Sequence, residues 1–212
     1  MPKKVTVISN DMYHFYETYE PISKRLFSGP EWELTMQDYI RPVVEAAEKP
    51  DLLINFTIGC GKPDNNAHLT LDEQKVLEQA VEAGMRALYV HASMAVVAAG
   101  SPMYALTLGR FASHPKEHDP VFCCAIPGTH HPIMEGIAPF EAPDEHYFCT
   151  VDLEKATPFL ATISVAGTEI GGWSQLKGKG RVVSLTPGHT VAMLDKMEPL
   201  LRNAIQWLMD DN

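Results

Sequence analysis

The sequence predicts an α/β fold, a mostly parallel sheet with helices on both faces, and three observations carry that expectation. Short apolar, β-rich runs alternate with longer helical patterns, the signature of βαβ units. A capping box marks a helix start soon after the third strand-like run. Several of the histidines follow strand-like runs or sit beside Gly and Pro, where open α/β sheets place their ligands.

Taken in order, residues 5–9 form the first strand, residues 17–27 a helix and residues 32–36 a second strand. Residues 51–56 read as the third strand, and the loop after it contains Gly59 and Gly61, whose missing side chains allow close approach of the backbone to a ligand. Thr70-Leu71-Asp72-Glu73 is the capping box, with the Thr70 hydroxyl on the Glu73 amide and the Glu73 carboxylate reaching back. The helix it opens runs to about residue 83, and Gly84 ends it in a left-handed conformation. Residues 86–90 are a compact buried-strand pattern that delivers His91 to a sharp strand-to-helix turn. Further strands are expected at 121–126, 146–151, 159–165 and 181–186, with antiparallel pairing in the second half. Leu200, Leu201, Ala204, Ile205 and Leu208 then mark a terminal amphipathic helix.

With 212 residues, no repeat and no linker-like stretch, the chain reads as a single domain over 1–212, long enough to bury roughly 70% of its extended-chain surface. Lys+Arg 17 against Asp+Glu 27 gives a net charge of −10, and no basic stripe is available to neutralise phosphates. Nucleic acid and an anionic membrane are therefore not expected as partners. No apolar run reaches the length of a membrane span and the start lacks a signal-peptide core, so a cytoplasmic location is expected. Cys60, Cys123, Cys124 and Cys149 lack CxxC spacing and read as reduced thiols. The Trp, Tyr and Met content allows a homodimer without requiring one.

Nine histidines need explaining. His68 and His118, in polar loops, read as ordinary surface residues. His91 and His189 follow short strands at the sheet edge, and Pro187-Gly188 fixes the direction of His189. His114 and His131 each precede a proline that restrains the backbone. Asp144-Glu145-His146-Tyr147 concentrates two carboxylates, an imidazole and a phenol at a strand start, with Glu145 and Tyr147 on one face and Asp144 and His146 on the other. Such a carboxylate can ligate a metal, act as a general base or fix a histidine tautomer. Imidazole and carboxylate suit a divalent metal, zinc first among them, on His91, His189 and Glu145. No HExxH, GxGxxG, GxxxxGK[ST] or GxSxG is present.

In these residues the chain resembles the trehalose-utilisation (ThuA-like) family, whose fold is flavodoxin-like and similar to class I glutamine amidotransferases. The resemblance covers nearly the whole chain. It rests on Met12-Tyr13-His14, the stretch from Leu69 to Gln74, Gly84 to His91, Gly109-Arg110-Phe111 with His114-Pro115, and His131-Pro132-Ile133 with Gly136-Ile137. Asp144 to Tyr147, Trp173, Gly178 to Val182, Gly188-His189 and Asn203 to Trp207 complete it. It implies that His91 stands at the elbow where the amidotransferases hold a nucleophilic cysteine, that His189 stands at their catalytic histidine, and that Gly59 and Gly61 stand at their oxyanion donors. Without a cysteine at the elbow, thiolate hydrolysis of glutamine is not expected.

The expected function is an enzyme of carbohydrate metabolism: a hydrolase, lyase or isomerase acting on a trehalose-like sugar or keto-sugar. His91, His189 and Glu145 would be catalytic, and His14, Gly59, Gly61, His114, His131, Asp144 and Tyr147 would bind substrate. The alternative is a sugar-binding or regulatory protein that kept the pocket without the chemistry.

Overall fold

In the computed structural model, residues 1–58 and 69–210 are described; Gly59, Cys60, Gly61 and His68 lie outside them. The first strands are β1 (Lys3–Ile8), β2 (Trp32–Gln37), β3 (Leu52–Asn55) and β4 (Arg86–Val90). Later come β5 (Gly109–Ser113), β6 (Pro120–Ala125), β7 (Phe140–Pro143), β8 (Phe148–Val151), β9 (Thr157–Ser164), β10 (Gly167–Lys177) and β11 (Gly180–Leu185). Nine of them form one sheet in the order β2-β1-β3-β4-β11-β10-β9-β6-β7. β2, β1, β3, β4 and β11 are mutually parallel, and their 2-1-3-4 start followed by a last parallel strand is the flavodoxin-like order. β10, β9, β6 and β7 extend the sheet with antiparallel pairs. β5 and β8 form a separate two-stranded sheet.

The parallel strands are buried on both faces, which is why they read as continuous apolar runs rather than alternating ones. Val5, Val7, Leu52, Ile54, Leu88, Val90, Val183 and Leu185 face the core shared with α1 (Tyr16–Leu26) and α5 (Val191–Met209). Ile8, Leu53, Ala87, Tyr89 and Val182 face the other way, toward α2 (Arg41–Glu45), α3 (Leu71–Ala83) and α4 (Pro102–Thr107). The capping box of α3 is formed as expected, and Gly84 closes the helix at φ +130°. After β4, in contrast, the chain makes only a 3₁₀ turn over His91–Met94, and Pro102 opens the next helix. Among the described residues, no helix is long and apolar enough to cross a membrane.

Candidate active site

Four loops at the C-terminal ends of parallel strands or beside them converge. The β1–α1 loop carries Asp11 and His14, the end of β4 carries His91, the β7–β8 connection carries Glu145, and the β11–α5 loop carries His189. One donor atom from each of His14, His91, Glu145 and His189 lies within 4.8 Å of the others.

Each group is held by a partner that leaves one donor facing inward. His14 Nδ1 bonds the Asp11 carboxylate at 2.9 and 3.0 Å. The opposite atom, Nε2, is buried without a partner. His91 is fully buried and sits at φ +50°, a left-handed conformation that non-glycine residues adopt uncommonly and that clusters at functional turns. Its Nδ1 lies 2.8 Å from the Thr186 carbonyl. A carbonyl only accepts, so Nδ1 carries a hydrogen, and Nε2 is left 3.2 Å from Glu145 Oε2. In the neutral imidazole these two atoms are both acceptors, so a proton or a cation belongs between them. His189 Nδ1 lies 3.5 Å from the same Oε2 and is buried without a hydrogen bond.

Electrostatics agree with this arrangement. Burial raises the Glu145 carboxyl, but the His91 hydrogen bond and the charges of His189, His91 and His114 outweigh it and hold it at about 2. Burial and the neighbouring His91 lower His189 to about 4 against the pull of Glu145, so at neutral pH it offers a neutral imidazole. Asp11 is pushed up by burial, yet His14 and the amides of Tyr13 and Ile58 bring it below the ordinary aspartate value. Two of the histidines also stand at a suitable spacing from the carboxylate, because tetrahedral zinc with bonds of about 2.0–2.1 Å holds its donors about 3.4 Å apart. His91 and His189 stand 3.2 and 3.5 Å from Glu145 Oε2.

The family profile described as "Trehalose utilisation" (ThuA) matches residues 31–208. The chain belongs to the trehalose-utilisation family. Its fold is similar to a ThuA-like protein from Bacteroides uniformis, at 18% identity and TM-score 0.74, covering 100% of this chain and 93% of that one. A ThuA-like protein from Parabacteroides merdae is similar at 14% identity and TM-score 0.71, covering 98% and 90%. A β-galactosidase from Rahnella sp. R3 is similar at 10% identity and TM-score 0.64, covering 97% of this chain but 31% of that one. At these identities the likeness concerns the fold. No curated protein matches the sequence.

In this ThuA-family chain, some of the residues expected at the site come together and others lie apart. The structure brings His91, His189 and Glu145 together and adds His14 to them. Tyr147 packs its ring 3.9 Å from that of His91, and exposed His114 stacks on Tyr147 at 5.6 Å. Asp144, expected to touch substrate, is fully buried, and its two oxygens accept the backbone N–H groups of Gly188, His189 and Thr190 at 2.7–2.9 Å. It positions the His189 loop instead. His131, also expected in the substrate shell, bonds Ser174 Oγ at 2.9 Å and stacks on Phe159. It lines a separate cavity with Arg181, Asn203 and Trp207, because the chain after β6 turns toward α5 instead of the His cluster. Two residues escaped the sequence reading. Asp11 pins His14, and His118, read as an ordinary surface residue, approaches Glu145 Oε1 at 3.4 Å. The Asp-x-x-His spacing was the available signal for Asp11, and nothing local marks His118.

Proposed function

We propose that the chain is an enzyme of carbohydrate metabolism that works on a sugar or keto-sugar at a divalent cation, zinc by donor chemistry, held by His14, His91, His189 and Glu145. The observation that carries this reading is the pair of buried, unpartnered imidazole nitrogens, His14 Nε2 and His189 Nδ1, facing a carboxylate and a third imidazole. Buried polar atoms are ordinarily satisfied, and an unmade bond costs about 1–3 kcal/mol, so such a concentration supports a bound ligand. A carboxylate and a backbone carbonyl behind two of the imidazoles match the support that metal-binding histidines receive.

A cation there would polarise a carbonyl or hydroxyl oxygen of the sugar. The chain's own residues supply the rest. Asp11 and the Thr186 carbonyl orient His14 and His91, Asp144 holds the loop of His189, and Tyr147 covers one face of His91 and keeps water from it. His118 places its Nε2 at Glu145 Oε1, on the solvent side, where a proton can pass between carboxylate and water. Hydrolysis, elimination and isomerisation all fit such a set. The bound substrate is expected in the cytoplasm, where the thiols of Cys123, Cys124 and Cys149 remain free.

The test is elemental analysis of protein purified without chelator, for the parent chain and for His91→Ala, His189→Ala and Glu145→Gln. About one equivalent of zinc, manganese or iron, lost in the variants, is the expected result. A metal-free parent chain, or variants that retain the parent's metal content, would refute the proposal.

A further inference from the structure

His14 is almost wholly buried, yet its neighbours in the same loop are not. Met12, Tyr13 and Phe15 are 53%, 58% and 56% exposed. Three large apolar side chains within four residues are thus open to water in the loop that supplies His14, and exposed apolar surface at a site is where ligands bind. Nor is the segment loose. Asp11 Oδ1 accepts the amides of Tyr13 and His14 at 2.8 and 2.9 Å, Asp11 Oδ2 accepts Ile58 N at 2.9 Å, and Asp11 N donates to the His14 carbonyl at 3.0 Å. The same carboxylate that orients a site imidazole thus orders the backbone that carries these exposed side chains, and the Tyr13 ring stands edge-on to that of His14 at 6.4 Å. Pre-ordering a surface in this way lowers the entropy lost when it binds, and an aromatic ring offers a broad apolar face with a polar tip.

We propose that Met12, Tyr13 and Phe15 form a shelf that takes the apolar C–H face of the part of the substrate that does not react, which makes Tyr13 a specificity-determining residue. This rests on the reading that the His14, His91, His189 and Glu145 site takes a sugar. The reacting group would sit at the buried donors and the remaining ring would lie against Tyr13. A two-ring sugar then gains binding over a one-ring sugar, and the gain depends on the aromatic face and not on the phenol hydroxyl.

The experiment is calorimetric titration of the metal-loaded protein with trehalose and with glucose, using the parent chain, Tyr13→Ala and Tyr13→Phe. The expected result is that trehalose binds the parent more tightly than glucose, that Tyr13→Ala weakens trehalose about tenfold while leaving glucose and metal content unchanged, and that Tyr13→Phe stays close to the parent. An unchanged trehalose preference in Tyr13→Ala would overturn the shelf while leaving the sugar site standing. Failure of both sugars to bind the parent would overturn the shelf together with the sugar reading. Sedimentation of the same proteins separates the remaining case, since a dimer that dissociates on Tyr13→Ala would make the patch a subunit interface and overturn the proposal.

Discussion

Replacing Asp11 by Asn keeps the shape of the side chain and removes its charge. In the parent, Oδ1 accepts Tyr13 N, His14 N and His14 Nδ1, while Oδ2 accepts Ile58 N and shares His14 Nδ1. An amide must turn one of these oxygens into a donor. The less costly orientation places NH₂ opposite Ile58 N, which loses one buried bond and leaves two donors facing each other. Hydrogen bonds to charged groups are worth about 1.5–3 kcal/mol and an unsatisfied buried donor costs about 1–3 kcal/mol, so a loss of about 2–3 kcal/mol is expected. For a chain of this length each kcal/mol moves Tm by about 2–4 °C, and the metal-free variant should melt about 4–12 °C below the parent. The metal readout is separate. Loss of the carboxylate behind His14 should weaken zinc about 10–100-fold, measured by competition with a chromophoric chelator. A melting temperature within 2 °C of the parent by circular dichroism, together with unchanged zinc affinity, would refute the role of Asp11 as the clamp of this loop.

Three further outcomes follow from other parts of the fold. Asp144→Asn removes an acceptor from a carboxylate serving three backbone N–H groups, and should cost about 1.5–3 kcal/mol in chemical denaturation; a change under 0.5 kcal/mol would refute the clamp on the His189 loop. His131 is neutral in the fold, since its Nδ1 accepts Ile133 N and burial lowers its pKa from the usual 6.5. The unfolded chain therefore binds the proton first as pH falls below 6.5, so stability declines from there down to the lowered folded pKa, by at most about 1.4 kcal/mol per pH unit for one proton. Relative to the parent, His131→Asn should flatten the melting profile between pH 5 and 6.5, and an identical slope would count against it. At Gly180 an added Cβ would meet the backbone carbonyls of Val81 and Met85, so Gly180→Ala should lose about 1–3 kcal/mol by overpacking, and a neutral effect in the same denaturation assay would show that α3 can move away.

Much of the parallel half was legible because burial on both faces leaves β1, β3, β4 and β11 with continuous apolar runs, and because Thr70 and Glu73 announce the start of α3 by their spacing. β10 was missed. Its Gly171 and Gly172 weaken any strand signal, yet both fit because Thr162, Phe159 and Leu185 fill the space a side chain would need. α4 was missed because it is a single short helix, although Ser101 before Pro102 caps it in the expected way. In the site, His91 and His189 could be singled out from their place after strands, since strand ends set the direction of the next side chain. His118 could not, because its partner Glu145 is fixed by tertiary approach of a different loop, and Asp11 was legible only in its Asp-x-x-His spacing to His14, its bond to Ile58 N being again an approach of separate loops. His131 misled for the same reason: His131-Pro132 gives local rigidity whether the chain turns toward the site or toward α5.

The same geometry makes a strong statement about stability. His14 Nε2 and His189 Nδ1 are buried without partners, and His91 Nε2 faces a carboxylate across 3.2 Å. Without a cation, the fold bears the cost of these unmade bonds and of a left-handed His91. A cation bound only by the folded chain returns RT ln(1 + [L]/Kd), about 4.1 kcal/mol at a thousandfold excess over Kd, which for this length is a rise in Tm of about 8–16 °C. The unfolded chain keeps nine scattered histidines and binds some metal too, so the upper end is a ceiling. The measurement is a melt after chelation and dialysis, repeated with zinc added back, for the parent and for Glu145→Gln. A rise in the parent that vanishes in Glu145→Gln fits the four-residue site. An equal rise in both would mean that zinc binds elsewhere, and no rise in either would mean that protons alone, shared between His91 and Glu145, hold the cluster together.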